Sequence, residues 1–120
     1  MNIKWLLSAL VLACALAIAH RYALAHFLYW EYRWIDIPMH MLGGVVIATF
    51  SIGLLGTYRP YLLLAVIASV FIGWEIFEYI AKISTGQPDY VFDTAHDIVN
   101  DFIGATVAFL VAKKSLWHSA

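Results

Sequence analysis

Long apolar stretches separated by short polar links make up most of this chain. Four stretches, at about residues 3–19, 37–55, 61–80 and 95–112, are long enough to cross the hydrocarbon core of a bilayer, which takes about 20 residues of helix. The pattern predicts an all-α integral membrane bundle of four transmembrane helices. We expect residues 1–120 to form it as a single domain.

The links have the composition of membrane surfaces and turns. Residues 22–34 mix aromatic rings with charged side chains, which predicts an interfacial aromatic segment after the first helix. In the second link, Gly56 suits a helix end and Pro60 suits the first turn of the next helix. The third link, residues 84–90, is polar and contains a glycine and a proline, so we expect a loop.

Composition narrows the class of protein. Hydrophobic residues make up 63% of the chain and charged residues 12%, about half the charge of a soluble domain, so a water-soluble globule is excluded. The single cysteine, Cys14, excludes a disulfide scaffold. The net charge of -1 offers no basic surplus for nucleic acid, so the expected partner is the lipid bilayer. The first stretch has an alternative reading as a signal peptide, because Ala23, Leu24 and Ala25 resemble a cleavage site.

Acidic residues are distributed very unevenly across the predicted bundle. All eight fall on the side opposite the termini: Glu31, Asp36, Glu75, Glu78, Asp89, Asp93, Asp97 and Asp101. Four of the five histidines fall on that side as well. Lysines and arginines slightly favour the side of the termini, which predicts that both termini are cytoplasmic. We therefore expect the polar chemistry at the extracytoplasmic face.

The spacing of these acids places them on helix faces. Asp36 and His40 are four residues apart, and Glu75 and Glu78 are three apart, so each pair lies on one face. Residues 97, 100, 101 and 104 follow one face of the last helix. Ionisable stripes that faced lipid would cost several kcal/mol, so they must face one another or water. The sequence predicts a polar funnel at one end of the bundle.

Two sets of candidate site residues follow. The candidate catalytic residues are Glu75, Asp97, Asn100 and Asp101, and the candidate ligands of a divalent metal are Asp36, His40, Glu78, Asp93 and His96. Imidazole and carboxylate together suit Zn, Mn or Fe. Glu75 lies deep in its helix, where scarce water and neighbouring carboxylates favour the protonated form. This predicts a role for Glu75 as acid, base or proton relay.

Some of these residues also have a structural interpretation. Asp36 could cap the second helix, and Thr94 with Asp97 matches a variant of the capping box. Glu78 could pair with Lys82 across one helical turn. These alternatives explain the residues without any ligand.

The order of these motifs resembles a known group of proteins. Asp36 and His40 followed by glycines, then the segment 74–78 of sequence WEIFE, then Asp97 and Gly104 at their spacing, are similar to the YjdF-like family and the related VanZ-like proteins. In the VanZ-like pattern an acid and a histidine begin one helix, a glutamate ends the next, and Asp-x-x-x-Asn-x-x-Gly begins another. Here Asp101 stands where that asparagine would be, which favours the YjdF-like side.

The resemblance carries expectations about location and role. It implies a small multi-pass protein of the bacterial inner membrane. The association of VanZ-like proteins with glycopeptide antibiotic resistance implies a role in the cell envelope. The resemblance supplies no reaction.

Three functions therefore remain open. The first is an enzyme that acts on a lipid-linked envelope substrate. The second is a small proton-coupled transporter, which would need a homo-oligomer because four helices make a narrow pathway. The third is a noncatalytic envelope assembly factor in which the acids only hold the bundle together.

The predicted topology can be tested by accessibility labelling of introduced cysteines. With four spans, Ser84 and Ser119 lie on opposite sides of the membrane, with Ser84 outside. A membrane-impermeant thiol reagent should label a cysteine at position 84 in intact cells and one at 119 only after lysis. Equal labelling of both positions would refute the four-span topology.

Overall fold

A computed structural model describes residues 1–81 and 90–118. The helices are α1 (Ile3–Ala25), α2 (Leu28–Glu31), α3 (Asp36–Leu55), α4 (Pro60–Ile80) and α5 (Tyr90–Ser115), and a turn of 3₁₀ helix, Arg33–Ile35, precedes α3. Within these residues, four segments are long and apolar enough to cross a membrane: α1, the 3₁₀ turn continued by α3, α4, and α5. The predicted four-helix membrane bundle is confirmed.

The helices are longer than the predicted apolar stretches. α1 continues through residue 25, beyond the predicted end near residue 19, and the aromatic link then forms α2 and the 3₁₀ turn. α5 begins at Tyr90, ahead of the predicted start near residue 95, because polar residues that interrupt an apolar run do not interrupt a helix. The labelling positions Ser84 and Ser119 lie outside the described residues, and the exposed residues Glu31 and Thr57 offer the same test.

Local sequence fixes several helix ends. The Asn2 side chain accepts a hydrogen bond from the Trp5 amide and so caps α1. Gly56 ends α3 with a left-handed φ of 66°, which glycine adopts at little cost, and Pro60 opens α4.

The capping interpretations of the acids do not hold. Asp36 is the first residue of α3, and no side chain caps that helix. Thr94 and Asp97 lie inside α5, beyond its first turn, so they are too far along the helix to form a capping box at its start. Lys82, the suggested partner of Glu78, lies outside the described residues. Helix capping therefore does not explain why Asp36 and Asp97 are acids.

α3 is the central helix, with α1 packed on one side and α5 on the other. α1 and α3 meet where the Asn2 amide donates to the Gly53 carbonyl at 2.7 Å and where Leu6 covers Gly53. α4 contacts α3 and α5 through a buried row that includes Leu63, Ile67 and Phe71. The many large apolar side chains left exposed are suited to face lipid.

The closest helix contact joins α3 and α5, which run parallel. A Cβ atom added to Gly44 would overlap the backbone carbonyl of Asp101, and one added to Gly104 would overlap the carbonyl of Met41. The backbone of each helix therefore packs directly against a glycine of the other helix. Alanines continue the contact: Ala48 on α3, and Ala105, Ala108 and Ala112 on α5. Small residues of this kind let membrane helices approach closely.

Substitution of these glycines should destabilise the bundle selectively. Gly44→Ala and Gly104→Ala each push one backbone away from another, so we expect a loss of about 1–3 kcal/mol in the free energy of unfolding. Gly73→Ala is the matched control, because a Cβ at Gly73 meets no atom within 4 Å. Thermal unfolding in detergent micelles measures the difference. An equal effect of all three substitutions would contradict the close contact.

Candidate functional site

The first turns of α3, the last turns of α4 and the N-terminal half of α5 meet at one end of the bundle. Six side chains there lie within ligand distance of one another in overlapping groups, and we call them the polar cluster: Asp36, His40, Glu75, Glu78, Asp97 and Asp101. Glu75, Asp97 and Asp101 are each only 5% exposed. The cluster thus combines five carboxylates with one imidazole in a largely buried position.

His40 is the centre of the polar cluster. Its Nδ1 lies 3.0 Å from Asp101 Oδ1, and its Nε2 lies 3.4 Å from Asp97 Oδ2 and 3.6 Å from Asp36 Oδ1. The imidazole therefore faces acids on both sides. One of them belongs to its own helix and two belong to α5.

The two ring nitrogens of His40 have different surroundings. The 3.0 Å separation at Nδ1 is that of a hydrogen bond, and an ionised carboxylate can only accept, so Nδ1 is the donor to Asp101. In a neutral imidazole this leaves Nε2 with a free lone pair. The separations of 3.4 and 3.6 Å at Nε2 exceed the usual hydrogen-bond range. Asp101 therefore orients the ring, and Nε2 faces two carboxylates without a close bond to either.

Glu75 is the most deeply placed acid of α4. Its Oε1 atom is buried and makes no hydrogen bond to any residue within 1–81 and 90–118. A buried carboxylate oxygen without a partner is costly, so native proteins rarely leave one. No lysine or arginine in the same described ranges pairs with the cluster, since every ion pair there involves His40. Within the described residues, the site therefore has no lysine or arginine to balance its acids.

Three overlapping groups in the cluster could hold a metal ion: Asp36, His40 and Asp97; His40, Glu75 and Asp101; and Glu75, Glu78 and Asp97. Within each group one ligand atom per residue lies within 4.8 Å of the others. The ligand types, imidazole and carboxylate, fit Zn, Mn or Fe.

Three predicted site residues lie apart from these groups. His96 is exposed, and its Nδ1 lies 3.3 Å from Asn100 Nδ2 on the same helix. Asn100 is buried, its side-chain hydrogen bond in the described residues is to His96, and it belongs to none of the three groups. Asp93 is half-buried and belongs to none of the three groups. The face of α5 that carries Asp97 and Asp101 turns toward α3, and His96 lies off that face.

Two aromatic contacts at this end were not predicted. Trp74 Nε1 donates to Glu78 Oε1 at 2.9 Å and fixes that carboxylate. In α2, the Tyr29 hydroxyl lies 2.7 Å from His20 Nδ1, and burial together with the negative charge of Asp36 raises the pKa of Tyr29. α2 precedes the 3₁₀ turn that leads directly into Asp36, so it lies near the polar cluster. The sequence identified Tyr29 only as part of the interfacial segment and Trp74 only as part of the motif 74–78, since an aromatic residue gives no sequence signal for a specific acid partner.

Comparison with protein families gives a match over nearly the whole chain. The model of the family described as "Predicted membrane protein (DUF2238)" matches residues 2–118, nearly the whole chain, including every helix of the bundle. No curated protein and no solved structure matches the chain. The chain belongs to the DUF2238 family of membrane proteins.

Proposed function

We propose that this protein is a metal-dependent membrane enzyme whose cation is held by Asp36, His40 and Asp97. The main observation in support is that the two ring nitrogens of His40 have different partners. Asp101 binds Nδ1, and Nε2 is left facing two carboxylates. An imidazole that is oriented by a carboxylate and offers its other nitrogen is the usual arrangement of a histidine metal ligand.

The distances at Nε2 support this assignment. Ligands about 2.1 Å from a tetrahedral metal lie about 3.4 Å from one another. The Nε2 atom is 3.4 Å from Asp97 and 3.6 Å from Asp36, close to that spacing and too long for strong direct hydrogen bonds. A cation between these three atoms would replace weak contacts by coordination.

The charge of the cluster points the same way. Five carboxylates surround one imidazole without a lysine or arginine partner in the described chain. Such a site repels an anionic substrate unless a cation offsets the charge. A bound divalent metal would also polarise a phosphoryl or carbonyl group of a substrate.

A lipid-linked envelope substrate suits the position of the site. The cluster lies at the end of membrane-spanning helices, beside an exposed aromatic segment that includes Trp30 and Trp34. Such rings favour the headgroup level of a bilayer, where the polar part of a lipid-linked molecule lies. The proposed location is the bacterial inner membrane with both termini cytoplasmic, in keeping with the resemblance to YjdF-like and VanZ-like proteins.

One alternative has a specific observation in its favour. If His40 is protonated, its contacts with Asp36, Asp97 and Asp101 form an ion-pair network that ties α3 to α5. That network would suit a noncatalytic assembly factor. The network leaves the buried Glu75 Oε1 without a hydrogen-bond partner within the described residues, so it does not account for every acid of the cluster.

Metal affinity of the purified protein tests the proposal. His40→Gln removes a ligand of this cation and should lower the Zn²⁺ or Mn²⁺ bound at high affinity by one ion per chain. Asp101→Asn should weaken binding about 10–100-fold, because a group that orients a ligand typically contributes that much. His26→Gln is the control, since His26 is exposed at the end of α1 and belongs to none of the candidate metal groups.

The measurement is equilibrium dialysis in detergent micelles followed by elemental analysis. Each variant is first checked for wild-type helix content and a monodisperse elution profile. Failure of the wild-type protein to bind either metal, or equal binding by all variants, would contradict the proposal and leave the ion-pair network.

A further inference from the structure

We propose that the polar cluster binds two divalent cations, with the Asp97 carboxylate bridging them. This inference rests on the proposed function and adds a second cation to the same site. The first cation is the one held by Asp36, His40 and Asp97. The second is held by Glu75, Glu78 and Asp97.

The two groups of ligands share one residue and otherwise differ. Asp36 and His40 come from α3, and Glu75 and Glu78 come from α4. Asp97, on α5, belongs to both groups. A carboxylate has two oxygens and can therefore bind two ions at once. Each helix thus presents its ligands from one face, as in bundles that hold paired metals with carboxylate and histidine ligands.

The unpaired oxygen of Glu75 is the independent evidence for a ligand on the second side. Its Oε1 is buried and makes no hydrogen bond within the described residues, and Glu75 belongs to the group formed with Glu78 and Asp97. The first cation does not explain this atom, since Glu75 is not a member of the group around His40 Nε2. A cation at the second position would coordinate it.

The Glu78 carboxylate is oriented so that it can also bind the second cation. Trp74 Nε1 holds Glu78 Oε1 at 2.9 Å and so fixes the direction of the carboxylate, leaving its other oxygen for a cation. The negative charge of the cluster also favours two cations over one. Two divalent cations offset four of the five carboxylates in the cluster, and a single one offsets only two.

Paired cations define the class of substrate. Two metal ions about 3.5–4 Å apart can hold two oxygens of one phosphoryl group, which is a common use of such centres. The head of a lipid-linked phosphate has this chemistry. Glu75 then acts by binding the second cation, and its loss should change the number of bound metals.

Metal counting on the full-length protein tests the inference. The protein, purified in detergent micelles, is titrated with Mn²⁺, and bound metal is counted by elemental analysis after dialysis. We expect two Mn²⁺ per wild-type chain, with an electron paramagnetic resonance spectrum broadened by coupling between the two ions. This result needs no variant, so it does not depend on how substitutions affect folding.

Variants then assign the ions. Glu75→Gln and Glu78→Gln should each lower the count from two to one and remove the spin coupling. Asp97→Asn should weaken both sites. Glu31→Gln should keep two, because Glu31 is an exposed acid of α2 that belongs to none of the groups.

The outcomes separate this inference from the proposed function. One uncoupled Mn²⁺ per wild-type chain, lost in His40→Gln and kept in Glu75→Gln, would overturn the second cation and leave the single-metal enzyme standing. No bound Mn²⁺ and no bound Zn²⁺ would overturn both. Two ions that remain coupled in Glu75→Gln would overturn the ligand assignment.

Discussion

The direct backbone contact between α3 and α5 at Gly44 and Gly104 determines how the rest of the site is arranged. Each glycine is packed directly against a backbone carbonyl of the opposite helix. The two helices therefore fit together in only one register and one rotation. His40 lies one turn before Gly44, and Asp101 lies just before Gly104. The same contact that joins the backbones therefore brings the imidazole against Asp101 and Asp97.

The close contact has an energetic consequence for the acids. The acids lie on the same helix faces as the small residues through which α3 and α5 pack. They cannot turn toward lipid or open water unless the helices separate, so their charges stay near one another. Partly buried carboxylates that repel each other destabilise a bundle unless protons or cations compensate them. A metal that binds here would thus stabilise the folded protein, and its affinity would be linked to folding.

The chain sequence predicts the fold better than it predicts the site. Apolar stretches of sufficient length predict four membrane-spanning helices, and these are confirmed. The polar end also follows from the sequence, because alternating helix directions bring residues 36–40, 75–78 and 97–101 to one end. Which helices touch is a different matter. Hydropathy gives no helix rotation, and in a membrane every face of a helix can be apolar.

Particular residues show which features of the site the sequence does not predict. Asp36 and Asp97 have the signals of helix caps, yet neither caps a helix, because the 3₁₀ turn before α3 and the early start of α5 move the true ends. His96 shares its region of sequence with Asp97 but lies off the face that meets α3. The orienting role of Asp101 depends on one contact at 3.0 Å between helices that lie far apart in sequence, which no local pattern encodes.

Anomalous X-ray diffraction from crystals of the full chain grown with excess Mn²⁺ would test most directly whether the contact of α3 with α5 builds a metal site. The account predicts an anomalous density peak for a Mn²⁺ ion coordinated by His40 Nε2 and by Asp97, with Asp101 still hydrogen-bonded to His40 Nδ1. It would be contradicted by the absence of anomalous density near Asp97, with His40 Nε2 hydrogen-bonded directly to a carboxylate.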